Sequence, residues 1–187
     1  MTIRFFILII SLLSGFIPVF SQMLPEHDLI QSETLLTEAD EIILKQTFKV
    51  NAPVSVVWTY FTESEKYREW VAPAAEIDLK INGSIRANYR PDGRIGDDDT
   101  ISIHIVNYIP ERLLTLQPEI PESFPLFMRE NSDNFYNVIE FHPLTDDETE
   151  IISFGLGYQN SPDFHQMVSF FAHGNIQAYE KLIGLFH

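Results

Sequence analysis

The chain contains no cysteine. Disulfide staples are excluded, so an exported form must hold together by its apolar core alone. A cysteine-linked lipid anchor is excluded with them. Basic residues are scarce: 12 Lys and Arg stand against 27 Asp and Glu, a formal charge of −15. That balance repels nucleic acid and anionic lipid surfaces at long range, so no nucleic-acid partner is expected. It serves solubility and does not bear on an apolar ligand held inside. Beyond Gln22 no apolar run is long enough to span a membrane.

Catalytic signatures are lacking too. His27, His104, His142, His165, His173 and His187 show no metal-ligand spacing. There is no HExxH and no histidine pair at i, i+4. Gly155-Leu156-Gly157 is followed by no Lys-Ser/Thr pair and lies in a strand-like pattern, where glycine allows sheet curvature. Asp92, Asp97, Asp98 and Asp99 lack the EF-hand spacing and read as a solvated hairpin tip. No cofactor and no metal is expected. The balance leans away from an enzyme without deciding the question, and nothing in the pattern speaks to oligomeric state.

What is present begins with "MTIRFFILIISLLSGFIPVFSQ". One basic residue, Arg4, precedes an apolar run, then Gly15 and Pro18, then "VFS" before Gln22. This is the layout of a secretory signal peptide over residues 1–21, cleaved after Ser21, and it implies a periplasmic or secreted protein. The competing reading is an uncleaved anchor, which Gly15 and Pro18 weaken. Cleavage leaves residues 22–187 at −16, since Arg4 is the one charge removed. That length suits one domain.

Residues 22–40 lack a clean period and read as an arm or a short first strand. "EIILKQTFKV" (41–50) reads as a strand. Pro53 then starts a helix whose Val54, Val57, Trp58 and Phe61 form one apolar face, with Trp58 in the core. Thr62 and Glu65 form a T-x-x-E capping box, which predicts a second short helix from Glu63 to near Trp70. Alternation returns at Ile77, Leu79 and Ile81, and Asn82-Gly83 predicts a hairpin into Ile85, Ala87 and Tyr89. Further strands follow at 101–105, "ERLLTLQ", "FYNVIEFH" (135–142) and "EIISFGLGY" (150–158), with a proline-rich excursion over 118–133. Short turns make the sheet antiparallel. From Ser161-Pro162-Asp163 a long helix runs towards His187. Phe164, Val168, Phe171, Asn175, Ala178 and Leu182 share its apolar stripe, interrupted by Gly174. A long helix with an apolar face must bury it, and a one-sided sheet offers the surface.

This order of elements resembles the helix-grip, START-like (SRPBCC) superfamily over residues 41–187. The nearest branch is that of the activators of heat-shock-chaperone ATPase. The segments "VNAPVSVVWTYFTESEKYREWVAP" (50–73), "YRPDG" (89–93) and "NYIPERLLTL" (107–116) carry the likeness. The resemblance implies an α+β fold with a curved seven-stranded antiparallel sheet around the C-terminal helix, two short helices after the first strand, and a cavity between sheet and helix. It also implies an apolar small molecule or lipid as partner. Two departures stand out. Gly174 is followed by Asn175 where this branch often has a Gly-Trp pair, and export does not suit a cytosolic chaperone role.

On this reading Trp70 sits at the cavity mouth as a gate. Asn137, Tyr89 and Tyr158 share the apolar sides of their strands, and Phe171 and Asn175 share the helix stripe. These six are the candidate ligand-binding residues, the polar ones orienting a ligand in an apolar cavity. The leading function is an exported small-molecule binding protein. The alternatives are a cyclase- or hydrolase-type enzyme, which needs an ionisable group inside the cavity, and a protein-interaction module, which needs a filled interior and an exposed apolar patch.

Overall fold

A computed structural model describes residues 24–187, so the expected signal peptide over 1–21 lies outside the described residues. The strands are β1 (Ile30–Leu36), β2 (Glu41–Val50), β3 (Ala74–Ile77), β4 (Ser84–Asn88), β5 (Ile101–Ile109), β6 (Leu113–Pro118), β7 (Tyr136–Thr145) and β8 (Glu148–Gln159). They form one antiparallel sheet in the order β1-β2-β8-β7-β6-β5-β4-β3. The helices are α1 (Val54–Thr62), α2 (Ser64–Tyr67), α3 (Leu126–Glu130) and α4 (Pro162–Gly184). The architecture is the expected α+β helix-grip, with the long α4 laid on the sheet.

Three expectations need correction. The sheet has eight strands, not seven, because the 22–40 segment supplies β1, paired to β2 from Ile30↔Phe48 to Leu36↔Ile42. Its period is blurred because an edge strand buries only Ile30 and Thr34. The predicted capping box does not form. Thr62 ends α1, is buried, and its hydroxyl donates to the Trp58 carbonyl at 2.8 Å. The hairpin at Asn82-Gly83 is also displaced. β3 ends at Ile77, and residues 78–83 form a longer turn that leaves Ile81 exposed. Ser64 ties this corner to α2 by accepting a hydrogen bond from the Ile77 amide at 2.9 Å.

The core has two parts. The larger gathers Phe48, Val57, Phe61, Ile85, Ile105, Leu114, Ile151 and Leu182 between α1, the C-terminal half of α4 and the sheet. The smaller gathers Ile42, Leu44, Met128, Phe135, Phe164 and Val168 around the N-terminal half of α4 and the 118–135 excursion. Trp58 is buried and meets Phe141 edge-on at 5.2 Å, as its place on the α1 face requires. Gly174 is exposed on α4 with open space beside it.

Gly157 marks a break in the β2–β8 ladder, where the register shifts between Ile42↔Tyr158 and Leu44↔Gly155. Its φ of +89° and the Asn134 carbonyl, 2.0 Å from where a Cβ would stand, leave room for glycine alone. Gly155 makes space for the Tyr158 ring, whose hydroxyl lies 2.7 Å from a notional Cβ. The bulge aims Tyr158 inward.

Candidate functional site

The two core clusters are separated by a cavity of about 300 Å³ between the sheet and α4. That is the lower end of the range for small-molecule sites. Its walls are mainly apolar and aromatic: Phe61 and Trp70 at one side, Ile85, Leu114 and Ile139 on the sheet, Phe124 and Phe135 from the excursion, and Phe171 from α4.

All six residues expected from the sequence line this cavity: Trp70, Tyr89, Asn137, Tyr158, Phe171 and Asn175. Trp70, however, is not at the mouth. It is 5% exposed, packs on Phe61, Tyr67 and Tyr179, and donates its indole N–H to the Tyr60 carbonyl at 2.8 Å. It is fixed wall, because α2 is only one turn long and folds the ring under α1. Tyr89, just past the end of β4, is half exposed and occupies the rim. Asn137 on β7 accepts a hydrogen bond from the Ser153 hydroxyl at 3.0 Å, across the β7–β8 ladder. Phe171 meets the exposed Phe170 edge-on at 5.6 Å.

Sequence reasoning missed Gln46, Ser153, Tyr67 and Tyr179, which also line the cavity. Gln46 had a signal. It stands in the apolar phase of β2, between Leu44 and Phe48, where a polar residue must find partners. Ser153 likewise follows Ile151 on the inward side of β8. Tyr179 lies one position beyond Ala178 on α4 and stacks on Phe48 at 4.3 Å.

The ionisable groups of the interior are phenols. Burial pushes the Tyr179 hydroxyl up to about 12, partly offset by the Ser153 hydroxyl beside it. Burial raises Tyr158, with Tyr179 nearby adding to the effect. Burial also raises Tyr67, assisted by Tyr89 and Tyr179. All of these are neutral donors at physiological pH. Glu119, the one carboxylate in the wall among the described residues, pairs with His104 at 2.7 Å, and both side chains are about half exposed (54% and 50%). Among the described residues no Lys, Arg or His lines the cavity. Among the described residues no three His, Asp or Glu side chains come together to hold a metal.

The acidic β4–β5 connection is self-satisfied: Asp99 accepts from the Arg90 guanidinium at 2.9 Å and Asp97 from the Arg94 amide at 2.9 Å. Glu140 points away from the cavity and meets His142 at 3.0 Å. Among the described residues no helix is long and apolar enough to cross a membrane.

Comparison with known proteins agrees with this architecture. Protein NE0264 from Nitrosomonas europaea shares 19% identity, with 81% of this chain and 97% of that one covered at a TM-score of 0.59. CalU16 from Micromonospora echinospora shares 18%, covering 84% and 85% at 0.59. The Aha1 dimer from Colwellia psychrerythraea shares 12%, covering 77% and 92% at 0.56. At these identities the likeness is one of fold. No curated protein matches the sequence. The family model for activator of Hsp90 ATPase homolog 1-like proteins matches residues 51–186, and the chain belongs to that family.

Proposed function

We propose that this protein binds a neutral, largely apolar small molecule in the cavity between the sheet and α4, and that it does so outside the cytoplasm. The observation that carries the reading is the cavity's composition. About 300 Å³ of space is walled by aromatic and aliphatic side chains, with a few neutral polar groups and, among the described residues, no buried charge. Such a lining holds an apolar molecule and orients it. The volume favours a compact ring compound over a two-chain lipid.

The interior offers little to acid–base catalysis. A general acid or base works best when its pKa lies near the operating pH. The buried phenols are pushed away from neutrality, and Glu119 stands at the rim beside His104. The interaction-module reading requires a filled interior, which the open space between the two core clusters disfavours. Export rests on the N-terminal pattern of Arg4, the apolar run and "VFS" before Gln22.

One experiment tests both parts. The full chain is expressed in an exporting host, purified from the extracytoplasmic fraction, and weighed under native and denaturing conditions. The denatured mass should match residues 22–187, and the native mass should exceed it by a defined small molecule. A chain retained in the cytoplasm with residues 1–21 intact would refute export. A native mass equal to the denatured one, unchanged after incubation with a library of neutral aromatic compounds, would refute the binding reading.

A further inference from the structure

Gln46 and Asn175 form a short relay between the α4 backbone and the cavity. The Ala172 carbonyl can only accept a hydrogen bond, so the group that Gln46 turns towards it, at 3.2 Å, is the amide nitrogen. The same nitrogen donates to the Ser32 hydroxyl oxygen at 3.0 Å. The Gln46 carbonyl oxygen must then face the other way, where it accepts from the Asn175 amide nitrogen at 2.8 Å. Gln46 is 1% exposed, so its surroundings hold it in place. Asn175 is thereby fixed in one of its two amide orientations, and its own carbonyl oxygen has no partner among the described residues. No buried side-chain polar atom among the described residues is unsatisfied. The Asn175 oxygen is therefore not sealed in the core, and its residue lines the cavity.

The rest of the cavity narrows what this oxygen meets. With no cation among the described residues of the wall, an anionic ligand would lose its hydration without compensation. Among the described residues a cationic ligand would find only Glu119, at the rim and already paired. Phe61, Trp70, Phe135 and Phe171 offer ring faces and edges for an aromatic ligand. We infer that the Asn175 amide oxygen, oriented by Gln46, is the acceptor subsite for a hydroxyl group on a neutral aromatic ligand. This rests on the binding reading above and adds a selectivity to it. A site built to accept a hydroxyl proton discriminates against the analogue that lacks one, because the polar group is otherwise left unpaired.

The test uses a matched pair of probes, 2-naphthol and 2-methoxynaphthalene, titrated calorimetrically into ligand-free protein. The ether is the more apolar, so solvation alone favours it. The wild type should nevertheless bind the naphthol about tenfold more tightly, or about 1.4 kcal/mol. Asn175→Leu and the milder Asn175→Ala should reduce that preference to less than about twofold while still binding the ether. Retained ether binding shows that the cavity is intact. Gln46→Leu, which frees the Asn175 amide to turn, should weaken the preference in the same way. Equal affinity of the wild type for both probes would overturn the hydroxyl subsite and leave the binding reading standing. A preference that survives both Asn175 variants would overturn the assignment to that residue. Binding of neither probe would overturn the aromatic-ligand proposal, and the library incubation above then decides the broader reading on its own.

Discussion

The Trp70 indole caps the C-terminal end of α1 by donating to the Tyr60 carbonyl at 2.8 Å. Carbonyls in the last turn of a helix have no amide partner within it, so the indole supplies what the helix cannot. The same ring forms part of the cavity wall. With Trp58 replaced by Phe, emission from Trp70 should be blue-shifted from that of free tryptophan and resist quenching by iodide. Ready quenching would return the ring to the mouth. Trp70→Phe should cost about 1–3 kcal/mol in chemical denaturation, from the lost hydrogen bond and the space left behind.

Elements whose cause is local were legible in the sequence. The alternation in 41–50 marks β2 from Glu41 to Val50, and Ser161-Pro162-Asp163 marks the start of α4. The T-x-x-E pattern at Thr62 misled because the hydroxyl found a closer acceptor in its own helix. Alternation at Leu79 and Ile81 misled because the chain turns after Ile77 and returns to pair Ile85 with it. The cavity wall was partly legible, since apolar phase alone picks out Asn137, Tyr158 and Asn175. The partnerships were not. Gln46 reaches Ala172 and Asn175 across more than a hundred residues, and no short-range pattern encodes that.

Gly157 holds a φ of +89° with the Asn134 carbonyl in the space a side chain needs. Gly157→Ala adds backbone strain and pushes the turn at Ser132–Asn134 away from β8. The expected loss is at least about 2 kcal/mol in a urea titration. Ala at the exposed Gly174, where nothing crowds a Cβ, should instead stabilise the middle of α4 by up to about 1 kcal/mol. Similar effects from both substitutions would contradict the bulge geometry.

The buried phenols set an alkaline limit. Tyr179 is raised to about 12 from an unfolded value near 10. Above pH 10 the unfolded chain releases this proton while the folded one keeps it. The contribution is thus fully present below about pH 10 and is lost as pH rises towards 12. Tyr67 and Tyr158 shift in the same direction and add to the loss. Denaturation midpoints should fall across this window, and spectrophotometric titration of the folded protein at pH 11 should leave some of the seven tyrosines unionised. Complete ionisation before unfolding would show that these hydroxyls are open to bulk water.

Ala178 stands on the cavity face of α4 beside Tyr179, and its methyl group leaves the space in front of it free. Ala178→Phe should fill much of that space from a rigid helix. Overpacking a dense core costs about 1–3 kcal/mol, but here the added ring enters a void, so stability should change by less than about 1 kcal/mol. Ligand binding should be lost, seen as disappearance of the extra mass in the native spectrum and of the calorimetric signal with 2-naphthol. The two readouts separate the readings of the site. A stable variant without ligand identifies the cavity as the binding site. A stable variant that keeps its ligand would move the site elsewhere on the protein, and an unstable one would show that the space is taken up by side-chain motion that the added ring cannot share.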